Sequence, residues 1–192
     1  MSARTEGPNG ARSAVRSAAG GAVVVPPTLF ELLHQSHDIQ RSLCRQLTAT
    51  RGNLARRELL FLQLKIELEA HAAAEERFVY CPILLTDAGL SVSRHALAEH
   101  HDIEEYCEDL SVRDKAGDGW LDTAKKLGHK VRHHLDEEEK KFFKVAGRIL
   151  SDKQKVLLAR RYQKDVVRMR RKLAADYQKV DVSTAGYVQP AR

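Results

Sequence analysis

Two stretches of this chain place a histidine four residues ahead of a glutamate that shares its apolar stripe: His71 and Glu75 in HAAAEERFVY, then His134 and Glu138 in HLDEEEKKFF. Side chains four apart share one face of a helix, so each pair offers an imidazole and a carboxylate side by side. Both pairs fall within apolar stripes. Burying such groups costs several kcal/mol, on the order of 2–7 per unpaired polar group, unless something compensates them. A metal ion is the partner that both donor types share.

Helices must position these pairs. Thr28 and Glu31 form a capping box just after Pro26 and Pro27 and start a first helix over about residues 28–50. Arg51, Gly52 and Asn53 end it. A second helix is expected over about 54–80, closed by Pro82 and a DAG turn at 87–89, and a third over about 91–110. After the polar KAGDG segment a fourth covers about 120–149, and Ser151 with Gln154 caps a fifth that runs to about 175. Helices joined by short loops predict an all-α fold, an up-down-up-down antiparallel four-helix bundle with an additional C-terminal helix. The domain reading is a flexible arm over 1–26, the bundle over 27–150, a basic helix over 151–175 and a flexible tail over 176–192. The recurring H-x-x-x-E-E, with Tyr80 and Phe143 each nine residues after its histidine, marks the second and fourth helices as pseudo-equivalent.

The apolar stripe selects among the remaining histidines. His134 lies in line with Leu127, Val131, Phe142 and Val145, whereas His133 shares a face with Lys130, Glu137 and Lys141. The same test favours His100 over His101 in the third helix, and His37 over His34 in the first. Counting about 1.5 Å per residue along antiparallel helices brings His37, His71, His100 and His134 to one level of the bundle. Glu138 and Glu75 are the carboxylates expected to face inward. The other acids of Asp136–Glu139 and of the run at 104–105 read as solvated.

Four imidazoles and two carboxylates exceed the needs of a structural zinc, which also favours cysteine, and are too rich in nitrogen for magnesium or calcium. A mixed set in a bundle core suits iron or manganese, and six protein ligands suffice for two ions if the carboxylates bridge. The E-x-x-H pair of ferritin-like bundles is absent.

Over about residues 28–170 the chain resembles the hemerythrin-like, or HHE cation-binding, domains of the bacterial soluble branch. LKIELEAHAAAEERFVYCPIL, ALAEHHDIEEY and KVRHHLDEEEKKFFKVAGRILSDKQ carry the likeness. It implies a non-haem di-iron centre at His37, His71, Glu75, His100, His134 and Glu138, with the glutamates as bridging candidates. The family's oxygen carriers have a second third-helix histidine at H-x-x-x-H spacing and an aspartate five after the fourth-helix histidine. Here His95 and His100 are five apart, and Glu138 follows His134 by four; Ser36 stands where relatives often have an acid. These departures imply one iron with a more open coordination sphere.

The expected function is therefore binding or sensing of a small oxidant, dioxygen or peroxide, or of nitric oxide, or the holding of iron. An enzyme turning over peroxide or nitric oxide would use the same ligands, so the sequence leaves enzymatic activity undecided. A further alternative is a metal-free helical interaction module. Residues 27–150 carry 18 basic and 21 acidic side chains, but residues 151–192 carry 11 and 4, so the basicity sits at the C-terminal end. No nucleic-acid-binding motif accompanies it, and the fifth helix is expected to pack through Val156, Leu157, Val167 and Leu173 with its basic face in water. Cys44, Cys81 and Cys107 lack the spacing of a disulfide framework or zinc ribbon. No apolar run is long enough to span a bilayer, so no membrane partner is expected. The Arg-, Ser- and Ala-rich first residues also suit an organellar leader, but composition alone carries that, and a cytoplasmic location is the expectation.

Overall fold

The structure is a computed structural model that describes residues 26–117 and 119–181. Among these residues five helices, α1 to α5, follow one another. α1 spans Leu29–Thr48 and opens on the expected capping box: the Thr28 amide donates to Glu31 Oε2 at 2.7 Å, and the Thr28 hydroxyl accepts from the Glu31 amide. Gly52, at a φ of 71°, supplies the left-handed residue that reverses the chain. Asn53 then caps α2 (Leu54–Glu75) by accepting from the Arg56 amide at 3.0 Å.

α2 does not stop near residue 80. It widens into a π turn over Glu76–Tyr80 and closes with one α turn over Cys81–Leu84. Pro82 stands just after the widened π turn and does not end the helix. α3 (Asp87–Val112) likewise starts earlier than expected. Asp87–Gly89 is its first turn, with the Thr86 side chain accepting from the Gly89 amide at 3.1 Å. Gly89 is required by close packing: a Cβ there would sit 2.2 Å from the carbonyl oxygen of Ile83.

α4 (Trp120–Glu137) repeats the device of α2. It passes through a π turn over Glu138–Phe142 and ends in an α segment over Phe143–Ile149. In each π turn an amide reaches back five residues, Cys81 to Glu76 and Phe143 to Glu138. Leu150 is extended, and Ser151 with Gln154 forms the second expected capping box. α5 spans Asp152–Asp181, so residues 176–181 are helical where a tail was expected. The expected arm lies almost wholly outside the described residues, as do positions 182–192.

α1 packs beside α2 and α4, and α3 beside α4, while α2 and α3 meet closely only near their connection. α5 lies along α1 and α2. Its inward face differs from the expected one: Leu158, Ala159, Tyr162 and Val166 are buried, whereas Val156, Leu157 and Val167 are exposed and only Leu173 packs inward as expected. Four consecutive apolar residues, 156–159, do not by themselves fix a helical face, and Tyr162 decides it.

Two apolar clusters divide the interior. One gathers Leu29, Leu33, Tyr80, Ile83, Phe142 and Tyr162; the other gathers Leu47, Phe61, Leu64, Leu110, Trp120 and Leu127. Cys44 and Cys107 are free thiols buried in the second, where burial raises their pKa to about 11 and about 12. They pack as small hydrophobes. Among the described residues no helix is long and apolar enough to cross a membrane.

Candidate metal centre

Between the two clusters lies a layer of buried polar side chains, and it contains all six residues singled out above. His37 comes from α1, His71 and Glu75 from α2, His100 from α3, and His134 from α4, with Glu138 on the π turn that follows. The rejected neighbours point outward: the side chains of His34, His101 and His133 are 49%, 70% and 53% exposed. Ring centroids of His37 and His71 are 5.1 Å apart, those of His71 and His100 6.3 Å, and those of His100 and His134 4.7 Å. The four imidazoles therefore share one level, as the antiparallel count requires.

Two donor groups form within this layer. His37, His71, Glu75 and Glu138 make the first, and Glu75, His100 and His134 the second; within each, one ligand atom per residue lies within 4.8 Å of the others. Glu75 belongs to both, its Oε2 lying 3.0 Å from His71 Nε2 and 3.7 Å from His100 Nε2. Glu138 Oε2 is also placed between them, 3.3 Å from His37 Nε2 and 3.9 Å from His134 Nε2.

The hydrogen bonding of these atoms tests whether an ion fits. His37 Nε2, His71 Nε2, both oxygens of Glu75 and Glu138 Oε2 are buried without a hydrogen-bond partner. Orphaned buried groups are rare in native proteins because each forfeits its hydration, yet here they converge. His100 Nε2 and His134 Nε2 face each other at 3.1 Å, and two imidazoles bound at a right angle to one ion, each at about 2.1 Å, would stand about 3.0 Å apart. The donor set fits divalent or trivalent cations that accept mixed nitrogen and oxygen ligands.

Every inward imidazole is braced through its other nitrogen. Nδ1 of His37 meets Glu139 at 2.8 Å, that of His71 the Tyr162 hydroxyl at 2.9 Å, that of His100 Glu76 at 2.9 Å, and that of His134 Glu99 at 3.1 Å. With its proton on Nδ1, each ring donates to its brace and turns the Nε2 lone pair inward, as outer partners of metal-bound histidines do. The sequence reading missed all four braces. Glu76 and Glu139 are the second glutamates of the H-x-x-x-E-E motifs of α2 and α4, so the doublet followed by an aromatic nine residues after its histidine was the available signal: its first member faces the ion position and its second holds a histidine of a neighbouring helix. Glu139 thus corrects the reading of Asp136–Glu139 as a solvated run outside Glu138. Tyr80 was also missed as a site residue. Its hydroxyl donates to Glu138 Oε1 at 2.8 Å and lies 3.4 Å from His100 Nε2.

The electrostatics follow from this arrangement. Burial opposes the charged form of His37, but Glu138 and Glu139 more than offset it and raise its pKa to about 9. Burial holds His71 well below the ordinary histidine value. It also pushes the Tyr80 phenol well above its usual range, with Glu138 adding to the shift. For Glu139, the bonds from His37 and Arg41 outweigh burial and lower its pKa to about 2.

α5 contributes beyond Tyr162. Arg170 grips Glu67 through two bonds of 2.7 and 2.6 Å, and Ser36 donates to the same carboxylate at 2.8 Å. Ser36, in the position where an acid was anticipated, therefore ties α1 to α2 and α5.

Comparisons with known proteins agree with this fold. A crystal structure of a hemerythrin HHE cation-binding-domain protein from Mycobacterium kansasii, described as an Rv2633c homolog, superposes with a TM-score of 0.70 at 22% identity, covering 84% of this chain and 96% of that one. No curated protein matches. The profile of the hemerythrin HHE cation-binding domain matches residues 28–146, and the chain belongs to that family.

Proposed function

We propose that this protein holds two iron ions and uses them to bind or sense a small oxidant, dioxygen or peroxide, or nitric oxide. His37, His71, Glu75 and Glu138 would hold one ion, and His100 and His134 the other, with Glu75 shared. The observation that carries this reading is the convergence of orphaned donor atoms at the layer where four helices meet. Six nitrogen and oxygen side chains without cysteine favour iron over a structural zinc.

Bound there, iron would supply one-electron redox chemistry and an open coordination position. The chain's own residues set the conditions. The four braces fix the imidazoles, Leu33 and Phe142 help wall off water, and Tyr80 holds one Glu138 oxygen so that the other faces His37 and His134. The second group has fewer protein donors than the first, which leaves room for an exogenous ligand at that position.

One observation favours turnover of peroxide as a second reading. A cleft of about 420 Å³ opens between α2 and α3, lined by Leu68, Ala72, Leu97 and Ile103 with Met169 and Leu173 of α5, and it reaches His71, His100 and His134. Turnover needs such a route for substrate to enter and product to leave. Protein purified under iron-replete conditions and assayed for metal should carry close to two iron atoms per chain. Its oxidised form should change its near-ultraviolet spectrum on adding azide, and its reduced form on adding nitric oxide. Stoichiometric zinc, with no iron uptake by the apoprotein, would overturn the reading.

A further inference from the structure

A donor layer this deeply buried needs a route by which an ion reaches it. On the α3–α4 side, away from the large cleft, His95 Nε2 lies 3.0 Å from Glu137 Oε2 and 3.7 Å from Glu99 Oε2. These three residues form a donor group of their own, within 4.8 Å of one another, separate from the two groups of the interior. The other carboxylate oxygens are engaged elsewhere. Lys141 holds Glu137 Oε1 at 2.6 Å, and His133 and Lys130 approach Glu99 Oε1 at 3.3 and 3.6 Å. Both Oε2 atoms are thereby left facing the exposed His95 ring.

Two further observations connect this trio to the interior. Glu99 is itself buried, and the same Oε2 that faces His95 lies 3.1 Å from His134 Nδ1. A cavity of about 130 Å³ runs beside it, with His95 and Glu137 among its lining and His134 and Glu138 at its inner wall.

We propose that His95, Glu99 and Glu137 form a transit site for a divalent cation on its way to the buried donors, an inference that rests on the reading of those donors as a metal centre. The chemistry is that of a weak, exchangeable site. One imidazole and two carboxylate oxygens suit ferrous iron or its divalent relatives, while Lys141 and Lys130, the latter shared with Asp102 at 2.7 Å, offset only part of the negative charge and so weaken retention without abolishing attraction. A carboxylate-lined mouth concentrates cations and speeds their capture, by about tenfold or more where low-dielectric walls focus the field.

Stopped-flow uptake of ferrous ion by the anaerobic apoprotein, read by the metal bound at each time, tests this. His95→Ala and Glu137→Gln should each slow uptake about tenfold while leaving the final metal count and the melting temperature of the loaded protein unchanged, because both side chains lie outside the buried layer. Glu104→Gln, at the α2–α3 cleft, should load at the wild-type rate. Wild-type rates in His95→Ala and Glu137→Gln would overturn the transit site and leave the metal centre standing, as would slowing of Glu104→Gln to the same degree. A wild-type apoprotein that never loads would overturn both.

Discussion

Tyr162 on α5 and His71 on α2 meet hydroxyl to Nδ1 at 2.9 Å, with both side chains buried. The last helix therefore belongs to the site and not only to the bundle's outer wall. Tyr162→Phe keeps the ring and removes the bond, so the fold should survive at a cost of about 1 kcal/mol. Metal affinity, measured by competition with a chelator, should fall about tenfold or more, as it does when the outer partner of a metal-bound histidine is lost. Unchanged affinity would show that His71 needs no brace.

The inward and outward histidines of α4 give a sharper contrast. His134→Ala should lose bound metal and the stability that comes with it, because binding free energy at such a site is coupled to folding. His133→Ala, at an exposed position, should retain both. Metal analysis and thermal melts of the two variants, purified side by side, check the difference.

The Arg170–Glu67 pair makes a separate prediction about stability. Arg170→Ala leaves the Glu67 carboxylate buried with only Ser36 for a partner. The cost should be about 2–3 kcal/mol, below that of breaking a fully enclosed pair because the Arg170 side chain is 33% exposed. Denaturant unfolding measures it. Combining Arg170→Ala with Glu67→Gln should recover part of the loss, since no buried charge then remains.

Without metal, acidity should act on the His37–Glu139 contact from both sides. The folded Glu139 pKa is lowered to about 2 from an ordinary 4.5, so its contribution is present above about pH 4.5 and is lost as pH falls toward 2. The folded His37 pKa is raised to about 9 from 6.5, so its contribution is complete below about pH 6.5 and is lost as pH rises toward 9. Apoprotein stability, followed by chemical unfolding across pH, should carry this pair's contribution in full only between those limits. Glu139→Gln should flatten both slopes; an unaltered profile would exclude the pair as their source.

The inward residues were legible in the sequence because a helix turns spacing into direction. A histidine and a glutamate four apart within an apolar stripe have one place to go, and the alternation of helix directions brings His37 and His100 to meet them. The braces were not legible for the opposite reason. Which side chain meets a histidine's Nδ1 depends on the rotation of a neighbouring helix, so Glu139 looked like a member of a solvated run and Glu76 and Glu99 carried no mark of their own. Tyr162 was hidden by the apolar run 156–159, which is compatible with several faces of α5. The π turns left no local signature: one has a proline at its end and the other has none, and both are stabilised by what their side chains meet across the bundle.

The cross-bracing also bears on how the centre comes into being. His37 waits for Glu139, 102 residues further along, and His71 for Tyr162, 91 further along. A chain made from its N-terminus at about 5–20 residues per second exposes its first imidazoles seconds before their partners exist. Metal acquisition at the braced centre is thereby deferred until synthesis has passed α4 and the first third of α5, and a nascent hairpin of α1 and α2 offers a passing cation the inward histidines His37 and His71 with nothing to aim them.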